Sequence, residues 1–448
     1  MIVKFNLGFL KMKIFLVVSS VIFIACISNT YSQALYFPPA TGNIWDTISP
    51  VSLGWCPDKI DTLTQYLDDK NTKSFIILKD GKIVIERYYG TFTQDSIWYW
   101  ASAGKSLTAF LTGKAQQDGF LNINDTVSDY LGSGWTSCTT SDEQKITIRN
   151  QLSMTTGFDD AVPDPDCTVD TCLTCIDIAG NRWSYHNAPY HLIHDVLENA
   201  TGNTLNFYTY SQLSFQTGIT GAWLDHVFYS TTRNMARFGL LTLARGIWNT
   251  DTILSDTSYF QQMLNSSQVM NPSYGYLWWL NGKGSYMAPQ SQFVFQTDLV
   301  PNAPDEMVAA LGKNDQKIYV VPSQNLVVVR MGNNSGNIPV LAISSFDNEL
   351  WEKLNDVFCG TLSINNNSQT EIISAYPNPS DGNFQIRNLK PGRFYKYYIF
   401  DTPGKKVAES VLAENSFNID FLPPGMYSQL IEEIGGNVEG RQKLILIK

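Results

Sequence analysis

Basic charge is in short supply: 41 acidic residues stand against 31 basic ones in a chain of 448, a formal charge of −10. That balance leaves no electrostatic footprint for nucleic acid or for an anionic membrane surface, so both are set aside as partners. Histidine is scarcer still, with His186, His191, His194 and His226 making up all four. No Gly-x-Ser-x-Gly elbow accompanies them, which leaves a Ser–His–acid triad without support. No His-Glu-x-x-His pattern is present either; His191 and His194 share a helix face and are read as local hydrogen-bonding groups rather than metal ligands. Long apolar runs are also missing. The run Ile14–Ile27 falls short of the roughly 20 residues that a spanning helix needs, so no stable membrane span is expected.

What that run does resemble is the apolar centre of a secretory signal peptide, with Lys4, Lys11 and Lys13 before it and a short polar stretch, 28–34, after it. Residues 1–33 are assigned to the leader. Cys26 sits where a lipid attachment cysteine would, but Phe23 replaces the usual leucine three residues earlier, and a cleaved leader is preferred. Cleavage leaves Cys56, Cys138, Cys167, Cys172, Cys175 and Cys359. An even number in an exported chain favours disulfides. For Cys138, Cys167, Cys172 and Cys175 a four-thiolate zinc site is the alternative, and the connectivity stays open.

The length exceeds one ordinary domain. Residues 58–69 (DKIDTLTQYLDD) place Ile60, Leu63 and Leu67 on one helical face. Two apolar runs between Ser74 and Tyr88 hinge at Asp80-Gly81, the strongest short signal for a hairpin, because its tight turn needs positive φ. A mostly helical middle follows from Ser102 to about Leu264. Three strand-like runs come next, Met307 to Leu311, Gln316 to Val321 and Leu326 to Met331, then a helix from about Pro339 to Val357. This order predicts an α+β fold: an antiparallel sheet built from both ends of the domain, an all-helical lobe inserted between them, and a cleft where lobe meets sheet. Packing of the first and last helices on that sheet brings Cys56 and Cys359 together as a disulfide. The aromatic run Tyr274–Leu280 reads equally as a wall of the cleft or as a core strand. Beyond Cys359 the composition turns polar, a linker over 361–371, and a short strand-rich unit follows over 372–448 in which runs such as Phe394–Phe400 predict a small sandwich.

Chemistry concentrates in 98–110 (WYWASAGKSLTAF). Gly104-Lys105-Ser106 resembles the end of a phosphate-binding loop, but the glycine required five residues before Gly104 is Tyr99, whose bulk blocks the backbone nest. Ser102-x-x-Lys105 has the better mechanical case. If a helix starts at or just after Ser102, the i and i+3 positions share a face at the end where backbone N–H groups favour negative charge. A neutral lysine can take the serine proton once burial lowers its pKa towards neutrality.

The Ser-x-x-Lys pair stands with Tyr185-His186-Asn187, and with the flanking segments Ile146–Phe158 and Ser230–Gly239. Together they resemble the β-lactamase and penicillin-binding protein superfamily, in its class C β-lactamase, D,D-peptidase and esterase branch, from about Ser74 to Trp351. The resemblance implies a serine hydrolase domain over 34–360 that needs no cofactor and acts on a small-molecule or peptide-like substrate. It further implies Ser102 as acylated nucleophile, Lys105 as its proton partner, Tyr185 as a second acid/base and Asn187 as a hydrogen-bonding group for substrate or lysine. The Ser102 N–H and one from a third-element strand would form the oxyanion hole. That third element departs from the family: Ala310-Leu311-Gly312 stands in place of Lys-Thr-Gly. Gly312 keeps the close backbone approach, but the cation that grips a β-lactam carboxylate is gone unless Lys313 substitutes. Esterase or amidase chemistry on a neutral acyl group therefore gains weight over β-lactam or D,D-peptide hydrolysis; a catalytically silent surface binder on the same fold is the reading from another class. The segment 375–386 (AYPNPSDGNFQI) and the ending 443–448 resemble the C-terminal sorting domain of the type IX secretion system. That resemblance implies the secretion machinery as partner and the cell surface or medium as destination.

Overall fold

A six-stranded antiparallel sheet is the frame of the first of two units, Met1–Leu362 and Ser363–Lys448. The computed structural model describes residues 35–336, 343–359 and, between 374 and 446, all but 377–379, 388, 390–392, 402–404, 413–414 and 435–437. The proposed leader with Cys26, the linker, and Pro377 and Pro379 lie outside the described residues. Across the sheet the strands run Lys82–Tyr88, Thr72–Lys79, Leu326–Gly332, Gln316–Val321, Val308–Gly312 and Trp279–Leu280. Asp80 and Gly81 join the first pair with φ of 53° and 81°, the positive values that a two-residue hairpin turn demands.

The central strands Gln316–Val321 and Leu326–Gly332 are buried along their whole length because both faces are covered. Ile318, Val320, Val327 and Val329 share one face by register, and there the helix Thr232–Leu243 packs against the sheet. Gly239 allows the approach: a Cβ at that position would stand 2.5 Å from Val327 Cγ1. On the other face Tyr319 meets Trp351 edge-on at 5.8 Å, and the Arg330 guanidinium lies 4.9 Å over Phe346, both rings belonging to the helix Ser345–Phe358. That helix packs on Pro57–Asp69, whose Ile60, Leu63 and Leu67 are buried.

Two local readings need correcting. The last helix starts at Ser345 rather than near Pro339, because Ser344 is extended (φ −147°) and forms a capping box with Asp347 that fixes the first turn; residues 337–342 lie outside the described ones. In the run Tyr274–Leu280 only Trp279–Leu280 is strand, since Leu277 turns the chain with φ 56°.

Cys56 and Cys359 lie at disulfide distance, Cα to Cα 5.6 Å, and the Cys56 N–H donates to Val357 O at 2.8 Å. Cys138 pairs with Cys175 and Cys167 with Cys172, at Cα separations of 5.2 and 6.0 Å. The four thiols that left a zinc site open are thus arranged as two bridges. Non-reducing peptide mapping is expected to recover these three links. Reduction is expected to lower Tm, chiefly through the bridge that closes a 303-residue separation, a constraint worth about 5 kcal/mol at most.

The second unit consists of a three-stranded sheet (Ser374–Tyr376, Asn383–Arg387, Ser416–Asn418) and a four-stranded one (Lys406–Val411, Tyr395–Phe400, Gly425–Glu433, Val438–Leu446). Phe384, Ile386 and Phe417 from the first and Tyr395, Tyr397, Ile399, Ile431 and Leu444 from the second share one core, a small sandwich. Strict alternation of buried and open positions along Asn383–Arg387 and Tyr395–Phe400 produces it.

Candidate active site

The aromatic residues before Ser102 anchor the turn that presents it. Trp100 is fully buried; its backbone N–H donates to Phe228 O and its indole N–H to Ser230 Oγ, both at 2.8 Å. Ala101 then takes φ 47°, a left-handed conformation that costs an alanine energy and persists only when its surroundings hold it. One turn of 3-10 helix, Ala101–Ala103, leads into the buried helix Gly104–Gln117. Ser102 therefore sits at a helix entrance with Lys105 one turn on.

The lysine amine donates to Ser102 Oγ at 3.1 Å and to Asn187 Oδ1 at 2.9 Å, while the rings of Tyr185 and Tyr190 lie 5.2 and 4.2 Å from it. Lys105 is 4% exposed. Burial drives its pKa down to about 7, with the Asp166 carboxylate pulling the other way. The Tyr185 phenol is close enough for Ser102 to draw its pKa downwards, but burial outweighs this and holds it well above the ordinary tyrosine range. Its ring stacks on Trp279 at 5.8 Å and meets Tyr274 edge-on at 6.2 Å. The aromatic run thus serves as core and as backing for this tyrosine. Asn187 opens the helix Asn187–Thr201 and donates through Nδ2 to Asp166 Oδ1 at 2.8 Å.

From the sheet, Gly312 reaches the serine turn so closely that a Cβ would stand 2.4 Å from Trp100 O and 3.0 Å from Ala103 N. Ala310 is fully buried in the same strand. Lys313, one residue past Gly312, lines the serine cavity. The turn after it holds Asn314 and Asp315 at φ 59°. Arg330, itself completely buried, donates to the carbonyls of both, at 3.0 and 2.9 Å, and Lys317 lies between Asp315 and Asp347 at 3.3 and 2.9 Å. These contacts hold the turn that follows Gly312 in place.

A cavity of about 350 Å³ unites Ser102, Lys105, Asn187, Lys313, Asp166 and Asp225 with Tyr190, His191 and His226. His191 and His226 stack at 4.1 Å with 10° between planes; His226 Nδ1 is 3.2 Å from His194 Nδ1, and His194 Nε2 is 2.9 Å from Thr108 Oγ1. Burial, with His226 and Lys105 nearby, pushes His191 down to about 3, so it is neutral at physiological pH. Among the described residues no group of three or more His, Cys, Asp or Glu side chains is placed to hold a metal ion.

Sequence reasoning named the serine, lysine, tyrosine and asparagine but missed Asp166, Asp225, Tyr190 and the cavity role of His191 and His226. Tyr190 and His191 carried a usable signal, lying three and four residues after Asn187 on one helical face. Asp166 carried none: it belongs to an irregular insertion with no period.

An antiparallel sheet with an inserted helical lobe, and a serine, a lysine and a tyrosine meeting where the two join, define an α+β protein of the β-lactamase/transpeptidase type. The chain belongs to the Beta-lactamase family, whose model matches residues 61–343, and the Secretion system C-terminal sorting domain model matches 374–447. An uncharacterized protein of Alkalihalophilus pseudofirmus is 23% identical over 315 residues, 61% of this chain and 87% of that protein. Protein flp of Staphylococcus aureus is 24% identical over 189 residues, 37% of this chain, and the match spans only 36% of flp. Among solved structures, a Bacteroides dorei protein described provisionally as a β-lactamase superposes with TM-score 0.53 at 18% identity, covering 68% of this chain and 99% of that one. A Bacillus anthracis protein described provisionally as a 6-aminohexanoate-dimer hydrolase gives 0.52 at 17%, covering 74% and 89%. At these identities the two structures speak for the fold alone. The sorting domain points to type IX secretion and a cell-surface or extracellular location, and no helix among the described residues is long and apolar enough to cross a membrane.

Proposed function

We propose that the protein is an exported serine hydrolase that works through an acyl-Ser102 intermediate, with esterase or amidase activity on a small acyl substrate. The observation that carries this reading is the amine of Lys105, 3.1 Å from Ser102 Oγ and with a pKa brought down to about 7. A lysine at that value is substantially neutral at physiological pH and can take a proton, whereas a phenol held above its usual range keeps its own. Lys105 is therefore the first base and Tyr185 the donor that completes the pair. The Ser102 hydroxyl proton passes to Lys105 as Oγ bonds to the acyl carbon. The carbonyl oxygen gathers charge near the N–H of Ser102 and the strand ending at Gly312. As the tetrahedral species collapses, the bond to the leaving group breaks and that group takes a proton from the Lys105–Tyr185 pair. Water then repeats the sequence on the acyl-serine and releases the acid.

Ala310 supports a neutral acyl substrate, since no cation stands at the position that would grip a carboxylate. Lys313 in the same cavity favours a second reading, hydrolysis of β-lactams or D,D-peptides, in which it supplies that cation. Incubation with a fluorophosphonate probe, followed by mass mapping, is expected to place the adduct on Ser102; folded protein without it would identify a silent binder instead. Rates on p-nitrophenyl esters, nitrocefin and D-Ala-D-Ala peptides are expected to rank the esters first.

A further inference from the structure

The insertion that carries Asp166 meets the serine cavity through that carboxylate, which faces Asn187 and also stands 3.8 Å from His191 Nε2. Asp166 Oδ1 accepts from Asn187 Nδ2 at 2.8 Å, and the same amide accepts through Oδ1 from Lys105 Nζ at 2.9 Å, which in turn meets Ser102 Oγ at 3.1 Å. An ionised carboxylate can only accept. It therefore settles which way round the Asn187 amide stands: NH₂ towards Asp166, carbonyl towards the lysine. A neutral Lys105 must then direct one N–H at Asn187, and that choice leaves its lone pair for the serine proton. With the amide reversed, its NH₂ would face the amine and compete for the same lone pair.

Asp166 is itself tethered. The preceding residue's carbonyl, Pro165 O, accepts from Ala188 N at 3.0 Å, the Asp166 N–H donates to Asp164 Oδ1 at 3.0 Å, and the next residue, Cys167, is paired with Cys172. From these contacts we infer that Asp166 is a positioning residue, which acts through the Asn187 amide to orient Lys105 for deprotonating Ser102; the inference rests on the hydrolase reading above. The groups facing Lys105 are Ser102 and Asn187 by hydrogen bond and the rings of Tyr185 and Tyr190, while its own charge helps to keep the nearby His191 and His194 neutral. Asp166, one hydrogen bond further out, is the carboxylate whose charge raises the lysine's proton affinity.

Two readouts on the full chain test it. The first is the titration of Lys105, read as its acetylation by acetic anhydride against pH with mass mapping, which does not require turnover. The wild-type midpoint is expected near pH 7. In Asp166→Asn it is expected lower, because an anion that favoured the charged amine is gone, and in Asp166→Glu it is expected to stay. The second is the rate of fluorophosphonate labelling of Ser102 at pH 8.5, where Lys105 is neutral in every variant. Asp166→Ala is expected to lose about tenfold there, and Asp166→Glu to recover most of it. Asp166 is exposed in a loop, so these variants are expected to keep the fold, which an unchanged Tm checks. A wild type that labels, with midpoint and rate unmoved in Asp166→Asn and Asp166→Ala, overturns the inference and spares the hydrolase reading. A wild type that never labels overturns both.

Discussion

Lys105→Met is expected to cut kcat/KM by about a thousandfold, the usual worth of a positioned general base, and at the same time to raise Tm at neutral pH. The two effects share one cause. Burial holds the amine near pKa 7 against an ordinary value of 10.5, so the folded state binds fewer protons than the unfolded chain between those values. Stability then rises with pH across that window; at and below pH 7 nearly the full burden of burying an ammonium is present, on the order of a few kcal/mol. Methionine keeps the volume and removes the charge, at the expense of one unsatisfied carbonyl on Asn187. Thermal melts of the two proteins should therefore differ most at pH 5 to 7 and converge towards pH 10. Wild-type kcat/KM should climb with pH through a midpoint near 7, a limb that the methionine variant lacks. A variant that retains the limb would assign it to another group.

The second large effect is expected at Gly312. Its φ of −126° is open to any residue, so the constraint is space: the Cβ of Gly312→Ala would press on Trp100 O at 2.4 Å and Ala103 N at 3.0 Å, both backbone atoms with no side-chain freedom to yield. Either the strand or the serine turn must move. Separation of the two is expected to cost about 1–3 kcal/mol of stability, as overpacking does elsewhere. Activity is expected to fall by about 100-fold or more, because an oxyanion donor displaced from the developing charge is largely lost. The measurement is kcat on the best ester of the panel beside Tm. A Gly312→Ala protein with wild-type kcat would show that the strand does not supply the donor.

Much of this arrangement was written in local pattern. The Asp80-Gly81 hinge, the apolar strands 316–321 and 326–331, and the three-residue step from Ser102 to Lys105 are short-range signals, and short-range physics reads them. Tyr185 and Asn187 needed the family resemblance, because nothing in their neighbourhood says that they will meet a lysine some eighty residues earlier. Three features escaped altogether. The strain at Ala101 is a product of Trp100 being locked to Phe228 and Ser230, residues far along the chain. The pairing among Cys138, Cys167, Cys172 and Cys175 depends on the path of an aperiodic insertion. Asp166 sits in that same insertion, and its meaning exists only relative to the Asn187 amide. The start of the last helix was misplaced for a smaller reason: the apolar letters after Pro339 outweighed the cap at Ser344.

The clasp between Cys56 and Cys359 joins the start of the helix Pro57–Asp69 to the end of Ser345–Phe358, just ahead of the segment that leads to the sorting tail. A protease that trims the tail anywhere past Cys359 would therefore release a body whose last helix stays pinned to its first.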